Sequence, residues 1–190
     1  MKRKFLLNLC LFPISLLSVG FFQLNIFNLI SSPAVHATNW NAYNKNVENG
    51  GRNLNNGNYQ KALDFYNKAL KIYKKDGAIF YNRALSNYEL GNYKEAIEDY
   101  KEALNLEDKM RSAITHLNIG NSFKEIEEFE KALFHFNKAI SIKPNEGFYY
   151  QDRGYLYWEL DKWDEALKDF ETAKSKFLKK KEKINEYFYN

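Results

Sequence analysis

Residues 113–146 read AITHLNIGNSFKEIEEFEKALFHFNKAISIKPNE, and the spacing of their apolar side chains decides the fold. Ile114, Leu117 and Ile119, followed by Phe123 and Ile126, recur at helical spacing. A polar break at Glu127-Glu128 comes next. Phe129, Ala132, Leu133, Phe136, Ala139 and Ile140 then fall three and four apart, on one helix face. Lys143-Pro144-Asn145 stops this second run, because the residue before a proline is pushed out of helical dihedrals. Gly120 sits inside the first run, where glycine costs about 1 kcal/mol against alanine. Close approach of a second helix is the usual reason for tolerating it. The stretch therefore predicts a helix, a tight turn and an antiparallel helix.

The same plan recurs along the chain. Ala62, Ala96, Ala132 and Ala166 are separated by 34, 36 and 34 residues, and Ala69, Ala103, Ala139 and Ala173 repeat those intervals. So do Tyr59, Tyr93, Phe129 and Trp163, and again Tyr66, Tyr100, Phe136 and Phe170. Four columns in one register mark an internal repeat, each copy one supersecondary unit stacked on its neighbours. The units fall at about 43–76, 77–112, 113–146 and 147–180. Small residues at Gly50, Ala84, Gly120 and Gly154 let the two helices of a unit approach. Turns are expected at Gly57-Asn58, Gly91-Asn92, Glu127-Glu128 and Asp161-Lys162. After Ala173 an apolar stripe through Phe177, Ile184 and Phe188 predicts one long helix, with 181–190 as a capping extension. Residues 38–42 read as a linker.

The repeat resembles the tetratricopeptide family, whose signature is a large residue, then Leu-Gly, Tyr, Ala, an aromatic, Ala and Pro at fixed offsets. The third unit carries Ile119-Gly120, Phe123, Ala132 with Phe136, Ala139 and Pro144. The fourth carries Tyr150, Gly154, Tyr157, Ala166 with Phe170, and Ala173. The second carries Phe80, Ala84, Ala96 with Tyr100, and Ala103. The first matches in its second helix, whereas Asn49 and Asn53 replace apolar residues in its opening one. The resemblance covers about residues 43–180. It implies an all-α, right-handed α-solenoid of about four helix-turn-helix units with a C-terminal capping helix.

It also implies a concave groove lined by the first helix of each unit. The family's groove offsets fall on Tyr81, Asn82, Leu85 and Tyr88 in the second unit. They fall on Leu117, Asn118, Asn121 and Lys124 in the third, and on Phe148, Gln151, Tyr155 and Trp158 in the fourth. Val47 and Leu54 line it in the first. Aromatic faces bury apolar side chains at low entropy cost, and amides donate and accept as an extended backbone requires. The family's carboxylate clamp is not matched: Val47, Gly51, Ile114 and Asn118 stand at clamp positions, and only Asn82 agrees with it.

Ahead of the repeats, Lys2-Arg3-Lys4 precedes an apolar run from Phe5 to Ile30 and then Ser31-Ser32-Pro33-Ala34-Val35-His36-Ala37. This is the three-part pattern of an export signal, residues 1–37, with cleavage after Ala37. The alternative is a retained signal anchor, since 26 apolar-rich residues are long enough to span a bilayer. Asn8, Pro13, Gln23, Asn25 and Asn28 argue against a permanent span. Either way the repeats are expected across the membrane, in a periplasm or thylakoid lumen, or anchored to it.

The leader also changes the charge. The chain has 28 basic and 24 acidic residues, and removal of Lys2, Arg3 and Lys4 leaves 25 against 24. That balance gives nucleic-acid binding no support. Lys176, Lys179, Lys180, Lys181 and Lys183 read as a solvated helix face. The one cysteine, Cys10, lies in the leader, so the mature chain has no disulfide or thiolate ligand.

No nucleotide loop, metal-ligand spacing or nucleophile-base pattern is legible, so no catalytic, cofactor or metal residue is assigned. His116 reads as a packed helix residue and His135 as an edge residue. Glu98-Asp99 and Glu127-Glu128 read as solvated faces. A small-ligand activity near Trp158 and the neighbouring acids has no motif behind it. The expected function is an exported, non-enzymatic scaffold that holds a peptide or protein segment in the groove and mediates complex assembly. The alternatives are a membrane-anchored assembly factor and a self-associating repeat protein.

Overall fold

A computed structural model of the chain describes residues 33–106 and 112–189, with side chains described for 37–106 and 112–182. Residues 1–32, most of the expected export signal 1–37, lie outside the described residues. Among the described residues eight helices follow one another: α1 Pro33–Asn55, α2 Tyr59–Ile72, α3 Gly77–Glu89, α4 Tyr93–Leu106, α5 Ser112–Glu125, α6 Phe129–Ile142, α7 Gly147–Glu159 and α8 Trp163–Tyr189. No strand occurs among the described residues. The chain divides into two compact units, Met1–Lys45 and Asn46–Asn190.

In the first unit the described residues belong to the opening of α1. The segment 38–42, expected as a linker, is helical, and Ala37 lies in the same helix with its side chain exposed. Trp40 stacks on Tyr43 with ring centroids 4.9 Å apart.

The second unit is an all-α repeat solenoid. Helices pair within each repeat, α3 with α4, α5 with α6 and α7 with α8, and neighbouring repeats meet through α2 with α3, α4 with α5 and α6 with α7. Its core is built from the repeating columns. Ala62, Ala96, Ala132, Tyr66, Tyr100 and Phe136 are nearly inaccessible. The large rings settle against the small residue of the same repeat. A Cβ on Gly120 would lie 2.6 Å from the Phe136 ring, and one on Gly154 would lie 2.9 Å from Phe170. The aromatics thus fill the space inside each helix pair.

The turns share one geometry. Gly57, Gly91, Glu127 and Asp161 all have positive φ, at 73°, 77°, 59° and 56°. At each, the following amide reaches back five residues, as Asn92 N–H to Asn87 C=O at 2.9 Å and Glu128 N–H to Phe123 C=O at 2.9 Å. This is the Schellman closure, which satisfies carbonyls at the helix end and reverses the chain in one residue. Asp76 caps α3 by accepting from Ile79 N–H at 3.2 Å.

The extension of α8 folds back on the start of α7. The Phe177 ring comes within 3.0 Å of where a Cβ on Gly147 would sit, and Lys180 pairs with Glu146 at 3.0 Å. It leaves Trp163, Leu167 and Leu178 more than half exposed on the last repeat.

Candidate functional site: the face of the first helices

Among the described residues α5 touches α7 directly, so the first helices of successive repeats converge. Side-chain bonds tie that face together. Asn118 Nδ2 donates to the Tyr81 hydroxyl at 3.0 Å, joining α5 to α3. Lys124 Nζ reaches Glu159 at 3.5 Å, joining α5 to α7, and Glu125 at 3.6 Å. Asn121 hydrogen-bonds Asp152.

The residues expected to line the groove differ in burial. Leu117 is 5% exposed and belongs to the core, so it is not available to a ligand. Tyr81, Leu85, Tyr88 and Phe148 are half-buried and pack against that core with part of their surface. Tyr81 meets Tyr100 edge to face at 5.6 Å, and Tyr88 meets Tyr93 at 5.3 Å. Asn82, Asn118, Asn121, Lys124 and Gln151 are half-buried with polar ends. Tyr155 and Trp158 are 47% and 55% exposed, over the Phe170 ring. Val47 and Leu54 are half-buried on α1.

Sequence reasoning missed the acids of this face. Burial lifts the Asp152 carboxyl above its ordinary pKa, against the hydrogen bond from Asn121 and the charge of Lys124. Tyr88 is pushed up to about 12, by burial first and then by Glu125, Tyr93, Glu89 and Asp152. A signal was present: Glu89, Glu125 and Glu159 follow the same 36- and 34-residue intervals as the alanines.

A second motif was also missed. Arg83 binds Asp99 with both Nε (2.8 Å) and Nη2 (2.6 Å), and its Nη1 donates to Asn67 at 2.8 Å. Arg153 repeats this with Asp169, at 2.7 Å for both bonds, and with Asn137. Each arginine clamps its own repeat to the one before. In the third repeat the equivalent positions hold Lys101, Ile119 and His135. There His135 Nδ1 lies 3.0 Å from His116 Nδ1, so the two histidines, read separately from sequence, form one pair. A recess of about 430 Å³ opens beside the first clamp, lined by Leu63, Asn67, Arg83, Asn87 and Asp99 among others, none of them an expected groove residue.

Among the described residues no group of three or more His, Cys, Asp or Glu side chains is placed to hold a metal ion. No described helix is long and apolar enough to cross a membrane.

Known proteins repeat this architecture. Models of the tetratricopeptide repeat match residues 76–145 and 53–76. The crystal structure of MamA superposes with a TM-score of 0.68 at 24% identity, covering 74% of this chain and 81% of that one. The Arabidopsis OM64 TPR domain gives 0.58 at 21% identity, over 64% and 98%. YrrB, described as a TPR protein with an unusual peptide-binding site, gives 0.59 at 21% identity, over 69% and 66%. At these identities the likeness establishes the fold. Stress-induced-phosphoprotein 1 of Caenorhabditis elegans is 32% identical over 62 residues, which are 33% of this chain and 19% of that protein. Registered alanine and aromatic columns, Schellman turns and these matches agree: the chain belongs to the tetratricopeptide-repeat family, whose members generally serve as non-catalytic interaction scaffolds.

Proposed function

We propose that the chain is an exported, non-enzymatic scaffold that holds an extended peptide or protein segment against the face of α3, α5 and α7 and so helps assemble a complex. The observation that carries this reading is the row of half-buried amides, Asn82, Asn118, Asn121 and Gln151, beside the partly exposed rings of Tyr81, Tyr88 and Tyr155. Amides along such a face match the donors and acceptors of an extended backbone, and the rings take its apolar side chains. The peptide-binding site of YrrB lends the reading an analogy of fold.

The test is affinity capture from an envelope extract of the producing cell, with the wild-type chain and with Asn121→Ala/Gln151→Ala as baits. Both substitutions trim polar ends and leave the core columns intact. A partner lost only with that variant supports the groove. Equal capture by both baits counts against it. Export is tested separately by intact mass: a native protein lighter by residues 1–37 is cleaved, whereas one of full mass is membrane-anchored.

Self-association is a second reading, favoured by the open edge of the last repeat, where Trp158, Trp163, Leu167 and Leu178 are each more than half exposed. Exposed apolar surface of this kind marks contact sites. Sizing at two concentrations distinguishes it, with Trp163→Ser/Leu167→Ser expected to abolish any dimer.

A further inference from the structure

The groove's charge is lopsided in a way that selects its occupant. Glu89, Glu125 and Glu159 stand at one register position of three successive first helices, and Asp152 lies among them. Tyr88 sits within electrostatic reach of Glu89, Glu125 and Asp152 together. Among the described residues Lys124 is the cation that meets this group, serving Glu125 at 3.6 Å and Glu159 at 3.5 Å and also acting on Asp152. Among the described residues one ammonium against four carboxylates leaves this face acidic, although the whole chain carries 28 basic against 24 acidic residues. Asp152 matters most, because it is half-buried and shares its one nearby ammonium, Lys124, with Glu125 and Glu159, its other partner being the neutral Asn121 amide. An incoming cation would supply a charge partner that Asp152 does not have to share, close to the Tyr88 ring.

We propose that the groove binds an extended segment of a partner protein carrying a lysine or arginine flanked by apolar residues, with the cation seated at Asp152 beside Tyr88. The argument is charge complementarity, and it rests on the groove reading above. It runs opposite in sign to a clamp for acidic termini, and Val47, Gly51 and Ile114 supply no cation for such a clamp. A partner so bound should arrive faster at low salt, because an acidic cleft focuses attraction on basic segments.

The experiment uses the full chain in mild detergent and immobilised hexapeptide pools. The pools are identical in their randomised apolar and polar positions and differ at one central residue: Lys, Arg, norleucine or Glu. The Lys and Arg pools are expected to retain the chain about tenfold better than norleucine, a difference of one decade in Kd. The Glu pool should retain least, and the preference should shrink between 50 and 300 mM NaCl. Asp152→Asn should abolish most of the Lys-over-norleucine ratio. Glu159→Gln should weaken it less, since Glu159 is half exposed and screened.

Equal retention of Lys and norleucine pools, or preference for Glu, overturns the cation proposal and leaves the groove standing. Retention by no pool, together with capture unaffected by Asn121→Ala/Gln151→Ala, overturns both. A dimer of the chain that Asp152→Asn dissolves would make a second copy's lysine-rich α8 the occupant, and so overturn a separate partner.

Discussion

At the residue scale the His116–His135 pair makes the clearest prediction. Their Nδ1 atoms lie 3.0 Å apart, so one ring donates and the other accepts. Burial, His116 and Lys101 hold His135 down to about 4, and burial with Lys138 lowers His116 as well. In the unfolded chain a histidine takes its proton near pH 6.5. Between about 6.5 and 4 the unfolded state therefore binds more protons, and folding stability falls as the pH falls. His135→Gln should flatten that slope by on the order of 2 kcal/mol across the window, after discounting for incomplete burial. Urea midpoints of both proteins at pH 7.5, 5.5 and 4.5 check it; parallel curves would refute the pair's role. The adjacent Gly50 and Gly51 supply a second contrast. A Cβ on Gly50 would lie 2.5 Å from the Tyr66 ring, whereas on Gly51 the nearest atom is the Tyr66 hydroxyl at 4.0 Å. Gly50→Ala should cost about 1–3 kcal/mol by overpacking, and Gly51→Ala should gain about 0.5–1 kcal/mol by removing a helical glycine. Thermal melts of the two variants should move in opposite directions. The repeat register picks out Gly50 as the crowded position, so this much is visible in sequence. The histidine pair is not, since 19 residues separate its members and only the packing of α5 on α6 unites them.

At the scale of elements the sequence was most readable where local chemistry acts alone. All four turns were placed correctly, because a chain reversal needs one residue with positive φ and polar neighbours. What the sequence hid is that Glu127 and Asp161 do the work that Gly57 and Gly91 do elsewhere. A side chain at positive φ is strained by about 1 kcal/mol. Glu127→Gly should therefore raise stability by about 0.5–1 kcal/mol with no change in the helices on either side, readable as a higher urea midpoint at constant m-value. The arginine clamps were hidden for the opposite reason: each joins three helices, the arginine's own and two that supply its partners. Arg153 holds Asp169, which is 4% exposed, so Arg153→Met strands a buried carboxylate. The expected cost is about 2–4 kcal/mol. Asp169→Asn in the same background should recover part of it, because the neutral amide no longer needs the guanidinium. A double-mutant cycle with no coupling between the two would rule the clamp out as a stabilising device.

At the scale of the whole repeat array, stability is a sum of repeats and nearest-neighbour interfaces, so damage at one end should stay there. The register columns made the solenoid legible, because each alanine and aromatic contacts its own repeat or the next. The groove was only partly legible. Offsets named its residues, but whether a given ring faces a ligand or the core depends on the neighbouring helix, which is why Leu117 proved to be core and Asp152 escaped notice. The end of the array shows the nearest-neighbour rule in its sharpest form. Beyond Ser175, α8 covers the start of α7 through Phe177 on Gly147, Lys176 on Asn145 and Lys180 on Glu146. Truncation after Ser175 removes all three contacts without touching the Ala166, Phe170 and Ala173 columns. Hydrogen exchange should then accelerate at Gly147–Tyr150 while α3 and α4 keep their protection, because local opening is drawn from the least-contacted unit. Uniform loss of protection from α2 to α8 would instead mean that the array unfolds as one cooperative block, and that the extension stabilises the array as a whole.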